Sequence, residues 1–244
     1  MIRVRAALVT GASSGIGRCI AVRLAKQGMR VGLVGRSIER LEGLAREIGP
    51  QAVCLPADLA VDADVRALAA RAPAALDGLD VLVHCAGVLS PGGFDGARIE
   101  DLDRQYMVNL RAPFQLTSLL LPWLRDSQGR VVFVNSAAGL AARAGNGQYA
   151  ATKAGLKAAA DSLRASVRPD GVRVVSVYPG RTDSAMQEAV HRAEGRPYDP
   201  DRLLSPDEVA EVVVTTLALA DRTEVTDVRV WAATGEPRRG IVRP

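Results

Sequence analysis

Seven short valine-rich runs recur from one end of the chain to the other, at residues 4–10, 30–35, 51–55, 79–84, 130–135, 172–178 and 226–231. Most lack the two-residue alternation of a half-exposed strand. Strands covered by helices on both faces have this pattern, because every side chain is then buried. Between them lie stretches whose apolar positions return at the helical period, at residues 15–27, 38–48, 61–75, 99–125, 148–168 and 206–220. This alternation predicts an α/β fold: a doubly wound, Rossmann-type parallel sheet of about seven strands, with helices on both faces and right-handed crossovers. No Pro/Gly/Ser-rich linker, repeat or low-complexity stretch interrupts the series, so residues 1–244 read as one domain. The least regular stretch is 184–204, which carries Gly195, Pro197 and Pro200. It follows the sixth strand, and ligands in open α/β sheets bind beyond the carboxyl ends of the strands. It is therefore expected to be a loop that covers a site.

Composition narrows the class. The chain is 48% hydrophobic and 24% charged over 244 residues, which excludes collagen-like, disordered and disulfide-framework proteins. Cys19, Cys54 and Cys85 are odd in number and far apart, with no CxxC pair. They read as three reduced thiols, and no metal is expected. A net charge of +4 raises nucleic acid as a partner, but acids are interspersed with the bases along much of the chain, as in IERLEGLARE, and the one dense basic cluster is the tail EPRRGIVRP. Aromatics are only 4%, too few to interleave a basic patch with stacking rings. A membrane is not expected either: no uncharged run approaches the ~20 residues of a bilayer span. The stretch AALV after MIRVR is too short for the apolar core of a signal peptide, so the expected compartment is the cytoplasm.

Candidate chemistry begins where the first strand ends, in Thr10-Gly11-Ala12-Ser13-Ser14-Gly15-Ile16-Gly17. Gly11 permits a tight turn, Gly15 lets the backbone approach a pyrophosphate, and Gly17 lets the helix lie close on the sheet. The free N–H groups and positive end of that helix favour a phosphate. Ser13 and Ser14 add hydroxyl donors. A glycine turn can serve packing alone, but one between an N-terminal strand and a helix favours a dinucleotide. The second strand ends Val34-Gly35-Arg36-Ser37. An acid here would hold the ribose hydroxyls of NAD, whereas an Arg accommodates the 2′-phosphate of NADP. Gly35 and Arg36 make NADP(H) the preferred cofactor and NAD(H) the alternative.

Further along, Tyr149-Ala150-Ala151-Thr152-Lys153 lies in a helical stretch. An i, i+4 pair shares one helix face, so phenol and ammonium can approach the same ligand. A free phenol titrates near ~10 and is a weak proton-transfer partner at neutral pH. A neighbouring cation favours the phenolate, so Tyr149 reads as a general acid–base group lowered towards working pH by Lys153. Ser136, in VVFVNSAAG just past the fifth strand, can hydrogen-bond a carbonyl or alkoxide oxygen. Asn109, in YMVNLRAPF, is a polar residue in an apolar helical stretch, and a buried amide needs partners. Lys153 is also one of only three lysines, with Lys26 and Lys157, in a chain whose other basic residues are Arg.

In order and approximate spacing, Asn109, Ser136, Tyr149 and Lys153 resemble the catalytic tetrad of the short-chain dehydrogenase/reductase family. The resemblance spans nearly the whole chain. It takes in the TGASSGIG turn, Asp58-Leu59 after the third strand, His84-Cys85-Ala86-Gly87 after the fourth, NSAAG, YAATK, and Tyr178-Pro179-Gly180-Arg181-Thr182 after the sixth. It implies hydride transfer between a nicotinamide and the carbonyl/alcohol pair of a small-molecule substrate. Tyr149 would exchange a proton with the substrate oxygen, which Ser136 would hold. Lys153 would bind the nicotinamide ribose and depress the Tyr149 pKa, and Asn109 would support a water leading to Lys153. Asp58 and Leu59 would flank the adenine. Cys85, Ala86 and Gly87 would allow close approach to a ribose, and Pro179, Gly180 and Thr182 would sit against the nicotinamide.

Two departures stand out. The family usually has NNAG where this chain has HCAG, so amide hydrogen bonds within the sheet must be replaced. His84 and Cys85 do not form a metal pair, since adjacent strand residues point to opposite faces. The end VTDVRVWAATGEP lacks the paired glycines common after the family's last strand, which leaves homodimer and homotetramer both open. Apolar positions in FQLTSLLLPWL and ATKAGLKAAADSL exceed what one sheet face can absorb, and predict helices packed across a two-fold axis. A hydrolase would need its nucleophile in a GxSxG elbow, and Ser136, in Asn-Ser-Ala-Ala-Gly, does not lie in one. A non-catalytic nucleotide-binding protein on the same fold is the alternative, because fold does not fix function.

Overall fold

The computed structural model describes residues 6–233. All seven expected strands form: β1 (Ala6–Thr10), β2 (Arg30–Gly35), β3 (Ala52–Pro56), β4 (Val81–His84), β5 (Arg130–Val134), β6 (Arg173–Pro179) and β7 (Asp227–Val230). They make one parallel sheet in the order β3-β2-β1-β4-β5-β6-β7. The chain runs outward from β1 to β3 and then returns to the other side of β1 at β4. That reversal opens a crevice beyond the carboxyl ends of β1 and β4, the topological switch point where such sheets bind ligands. Residues 4 and 5 of the expected first strand and the basic tail EPRRGIVRP lie outside the described residues.

The helices are α1 (Gly15–Lys26), α2 (Ile38–Ile48), α3 (Asp62–Leu76), α4 (Ile99–Tyr106), α5 (Ala112–Asp126), α6 (Gly147–Val167), α7 (Ala185–Ala193) and α8 (Pro206–Ala218). Leu68 of α3, Leu116 and Leu120 of α5 and Leu156 of α6 pack on one face of the sheet. Ile20 and Leu24 of α1, Leu41 of α2 and Val213 of α8 pack on the other. Along β5, Val131 and Phe133 serve the first core, and Val132 and Val134 the second. Burial on both faces explains why the central strands showed no alternation. At the edge, β7 is only half-buried. Among the described residues no helix is long and apolar enough to cross a membrane.

Two segments differ from the sequence pattern. The stretch 99–125 is not one helix: α4 and α5 are separated by a π turn over Met107–Arg111, in which the Ala112 N–H reaches the Met107 carbonyl. Pro113 has no N–H to offer the carbonyl of Asn109 four residues earlier, so the regular ladder cannot pass this point. The second is 184–204, which is not an open loop. Ser184 accepts the Gln187 N–H at 3.1 Å and starts α7, and a 3-10 turn follows at Pro200–Arg202. The segment is fastened to the residues after β6, with Arg181 gripping both carboxylate oxygens of Glu194 at 2.9 and 2.8 Å.

One ion-pair cluster anchors the π turn. Asp62, at the start of α3, accepts hydrogen bonds from Arg66 at 2.7 Å, Gln115 at 2.7 Å and Arg111 at 2.6 Å. These partners, Arg66 foremost, lower its carboxyl from 3.8 to about 2. A depressed folded pKa means that the stabilising contribution is complete above the unfolded value and is lost as pH falls through the folded one. Asp62→Asn should therefore lower the thermal midpoint at neutral pH. It should also shrink the further loss that the wild type shows between about pH 4 and pH 2, as measured by thermal melts across that range.

Candidate active site

The β1–α1 turn is built against the end of β4. Gly11 has φ +71°, and a Cβ there would lie 2.8 Å from the Ala86 backbone. A Cβ on Gly17 would run into the Gly11 carbonyl. Thr10 Oγ1 accepts the N–H groups of Cys85 at 3.0 Å and Ala86 at 3.2 Å and donates to the Val83 carbonyl at 3.3 Å. This hydroxyl supplies the fastening that HCAG, lacking amide side chains, cannot. His84 points to the opposite face, sharing a 2.7 Å hydrogen bond with Thr117 Oγ1 and stacking on Phe133 at 5.0 Å. Burial pulls its pKa down to about 3, so it is a neutral structural ring. Burial likewise pushes the Cys85 thiol up to about 12. Among the described residues no three His, Cys, Asp or Glu side chains gather as metal ligands.

The cradle fits a dinucleotide phosphate. Ser37, Ser184 and Ser205 cap α2, α7 and α8 with their side chains, whereas the Ser14 hydroxyl makes no capping bond on α1. The first N–H groups of α1 thus lack a side-chain acceptor beside a turn too tight for any Cβ at Gly11 or Gly17. Ser13 Oγ borders Gly35, where a Cβ would stand 3.3 Å from it. Arg36 is exposed at the end of β2, and no ion pair engages it among the described residues. Asp58 turns its carboxylate back on its own loop, accepting the Ala60 N–H at 3.0 Å, and Leu59 is buried beside it.

Asn109, Ser136, Tyr149, Lys153 and Gly87 come together above β4 and β5. Tyr149 and Lys153 are 9% and 3% exposed, the ammonium 5.8 Å from the centre of the Tyr149 ring. Lys153 Nζ donates to the Val134 carbonyl at 3.2 Å. A Cβ on Gly87 would stand 3.5 Å from Asn109 Oδ1 and 3.8 Å from Lys153 Nζ. The Asn109 amide accepts the Val88 N–H at 2.8 Å and donates to the Val88 carbonyl at 2.9 Å and Thr152 Oγ1 at 3.1 Å. Ser136 accepts the Ala138 N–H at 3.2 Å and opens the turn Ala137–Gly139.

The electrostatics correct one expectation. Burial pushes the Tyr149 phenol up to about 12, with the Ser136 hydroxyl pulling the other way, and Lys153 does not lower it. Both groups are removed from water, which disfavours each charged form, and the ammonium is directed at Val134 rather than at the phenol oxygen. Lys153 itself is drawn down to about 8 by burial.

Beyond β6, the Gly180 N–H donates to the Val230 carbonyl at 2.8 Å, and the Trp231 ring covers the glycine, leaving 2.9 Å to where a Cβ would be. Pro179 is buried as the last residue of β6. Thr182 is also buried, and its hydroxyl donates to the Gly180 carbonyl at 3.2 Å. In α7, His191 is buried edge-on to Tyr198 at 5.2 Å, and Tyr198 hydrogen-bonds Asp183. Sequence reasoning passed over Thr10 and Asn135, each a polar residue at the end of an apolar strand. It also passed over Trp231, whose partner, Gly180, directly follows the neighbouring strand.

A parallel sheet with this order, a glycine cradle at its switch point and a Ser–Tyr–Lys cluster beside it define a nicotinamide-dependent oxidoreductase of the α/β class. The sequence pattern of the short chain dehydrogenase family matches residues 5–195, and the chain belongs to that family. Nodulation protein G of Rhizobium sp. (strain N33) is 40% identical over 188 residues, 77% of each chain. A metagenomic short-chain oxidoreductase in complex with NADP superposes with a TM-score of 0.80 at 32% identity, covering 94% of this chain and 97% of that one. The 3-ketoacyl-(acyl-carrier-protein) reductase from Brucella melitensis, complexed with NADH, gives 0.87 at 27% identity, covering 97% and 100%.

Proposed function

We propose that this oxidoreductase prefers NADP(H) and interconverts a carbonyl and an alcohol on a small molecule, with Tyr149 as its general acid–base group. The observation that carries this reading is the buried Tyr149–Lys153 pair beside Ser136, an ammonium facing a carbonyl rather than a carboxylate at the mouth of the glycine cradle. The nicotinamide, when bound, supplies or accepts the hydride. Gly11, Ser13, Ser14, Gly15, Ile16 and Gly17 would hold the pyrophosphate, Arg36 the 2′-phosphate, and Asp58 and Leu59 the adenine. Cys85, Ala86 and Gly87 would line the ribose side, and Pro179, Gly180 and Thr182 the nicotinamide side. A phenol kept neutral by burial carries the proton that a carbonyl oxygen takes up in reduction, and would have to lose it before acting in oxidation. Ser136 would donate a hydrogen bond to the same oxygen, Lys153 would bring positive charge to the ribose, and Asn109 would support a water on the way to Lys153.

Residues 1–244 are read as one domain, with 184–204 as its cover. The test is nicotinamide absorbance with NADPH against ketones, aldehydes, quinones and acyl-carrier thioesters. Turnover with a carbonyl substrate is expected. NADPH binding without turnover on any of them would favour a nucleotide-binding role instead.

The chain is also proposed to assemble across a two-fold axis through α5 and α6, whose apolar positions predict it, with α4 beside them. On α6 the exposed apolar positions are the small Ala151, Ala154 and Ala158. Phe114 and Trp123 on α5 are 63% and 47% exposed, and Tyr106 on α4 is 47% exposed. Large exposed apolar groups on adjoining helices mark an interface rather than a solvated face. A dimeric or tetrameric mass in solution is expected, with Phe114→Arg shifting it towards the monomer. A monomeric wild type at micromolar concentration would refute this.

A further inference from the structure

Asn135 stands between the two halves of the cluster and takes no part in the chemistry above. It directly follows β5, is 4% exposed, and uses both ends of its amide. Oδ1 accepts the N–H of Ser136 at 2.9 Å, and Nδ2 donates to the carbonyl of Lys153 at 3.1 Å, 18 residues along the chain. Its own N–H bonds the Val177 carbonyl at 2.8 Å, which keeps it in register with β6. The surroundings leave no slack. A Cβ on Gly139 would lie 2.8 Å from both Asn135 Oδ1 and the Lys153 carbonyl oxygen.

Ser136 belongs to the loop after β5, while Tyr149 and Lys153 ride on α6. The substrate oxygen must be met by Ser136 and Tyr149 together, so the spacing of these two segments decides how well the site works. An amide bridges them because it carries a donor and an acceptor at once. Leucine has the size but neither polar group.

We propose that Asn135 is a positioning residue whose amide sets the Ser136 hydroxyl against Tyr149 and Lys153. The inference rests on the reading of Ser136 and Tyr149 as the groups that hold the substrate oxygen.

The experiment combines Asn135→Leu and Ser136→Ala, singly and together, with kcat, NADPH dissociation constant and thermal midpoint measured for each. A further readout is backbone amide exchange over residues 135–141. Asn135→Leu is expected to lower kcat about 10–100-fold with NADPH affinity unchanged, and to cost less than about threefold once Ser136→Ala has removed the group being positioned. Equal fold losses in the two backgrounds, or full kcat in Asn135→Leu, would overturn the proposal. Should Asn135→Leu not fold, Gly139→Ala presses on the same clamp and is expected to show the same coupling to Ser136→Ala. Should the wild type turn over no carbonyl substrate, the functional reading fails separately. The clamp is then judged by exchange alone: faster exchange over 135–141 at an unchanged midpoint supports it, and unchanged exchange removes it.

Discussion

Tyr149→Phe is expected to fold, to bind NADPH as the wild type does, and to lose about 10²–10⁴-fold in kcat, the usual contribution of a general acid–base group. The substitution removes one oxygen and keeps the ring. That ring is nearly all buried, so packing should be preserved. The phenol is held up at about 12 by burial, so it remains protonated at any working pH and can act as the donor in reduction. Of the three other tyrosines, Tyr106 is exposed on α4, Tyr178 is buried in the core, and Tyr198 is committed to Asp183 and Ser184. Turnover by absorbance, with NADPH binding measured separately, decides the matter, and a folded variant with wild-type kcat would remove Tyr149 from the mechanism. Lys153→Arg should fail as well. It preserves the charge, but the site is 3% exposed and shaped around a single ammonium that donates to the Val134 carbonyl, and a guanidinium has a different form and reach.

The wild type is expected to favour NADPH over NADH in kcat/KM by about one to two decades, and Gly35→Asp with Arg36→Ala to bring that ratio down or reverse it. A charge-assisted contact between Arg36 and the 2′-phosphate is worth roughly 1.5–3 kcal/mol, and each 1.4 kcal/mol is about tenfold. Arg36 is exposed and engaged in no ion pair among the described residues, so nothing has to be broken to bind a phosphate. The new side chain meets a tight place, since a Cβ at residue 35 would stand 3.3 Å from Ser13 Oγ and from Leu41 Cδ2. Both are side-chain atoms that can shift by a few tenths of an ångström, so a modest fall in thermal midpoint should accompany the switch. A wild type that prefers NADH, or a double variant with an unchanged ratio, would show that Arg36 does not read the phosphate.

The contrast between what could be read along the chain and what could not follows the range of the forces involved. Strand and helix periods, the Gly11–Gly15–Gly17 turn, Arg36 after β2 and the YxxxK spacing are local patterns. A residue's own backbone and its near neighbours decide them, so the sequence by itself determined the doubly wound sheet and the residues gathered at its carboxyl edge. The π turn at Asn109 was within reach too, since Pro113 removes the donor four residues on. So was α7, through the Ser184 cap. Other features had no local signature. That Thr10 does the fastening HCAG cannot, that Asn135 ties Ser136 to Lys153, and that Trp231 lies on Gly180 depend on strands and helices brought together from distant parts of the chain. The pKa of Tyr149 is the clearest case. Spacing placed an ammonium one turn away and implied a lowered phenol. Only the tertiary structure decided the direction, because the loss of water around a buried group outweighs a charge that is directed elsewhere.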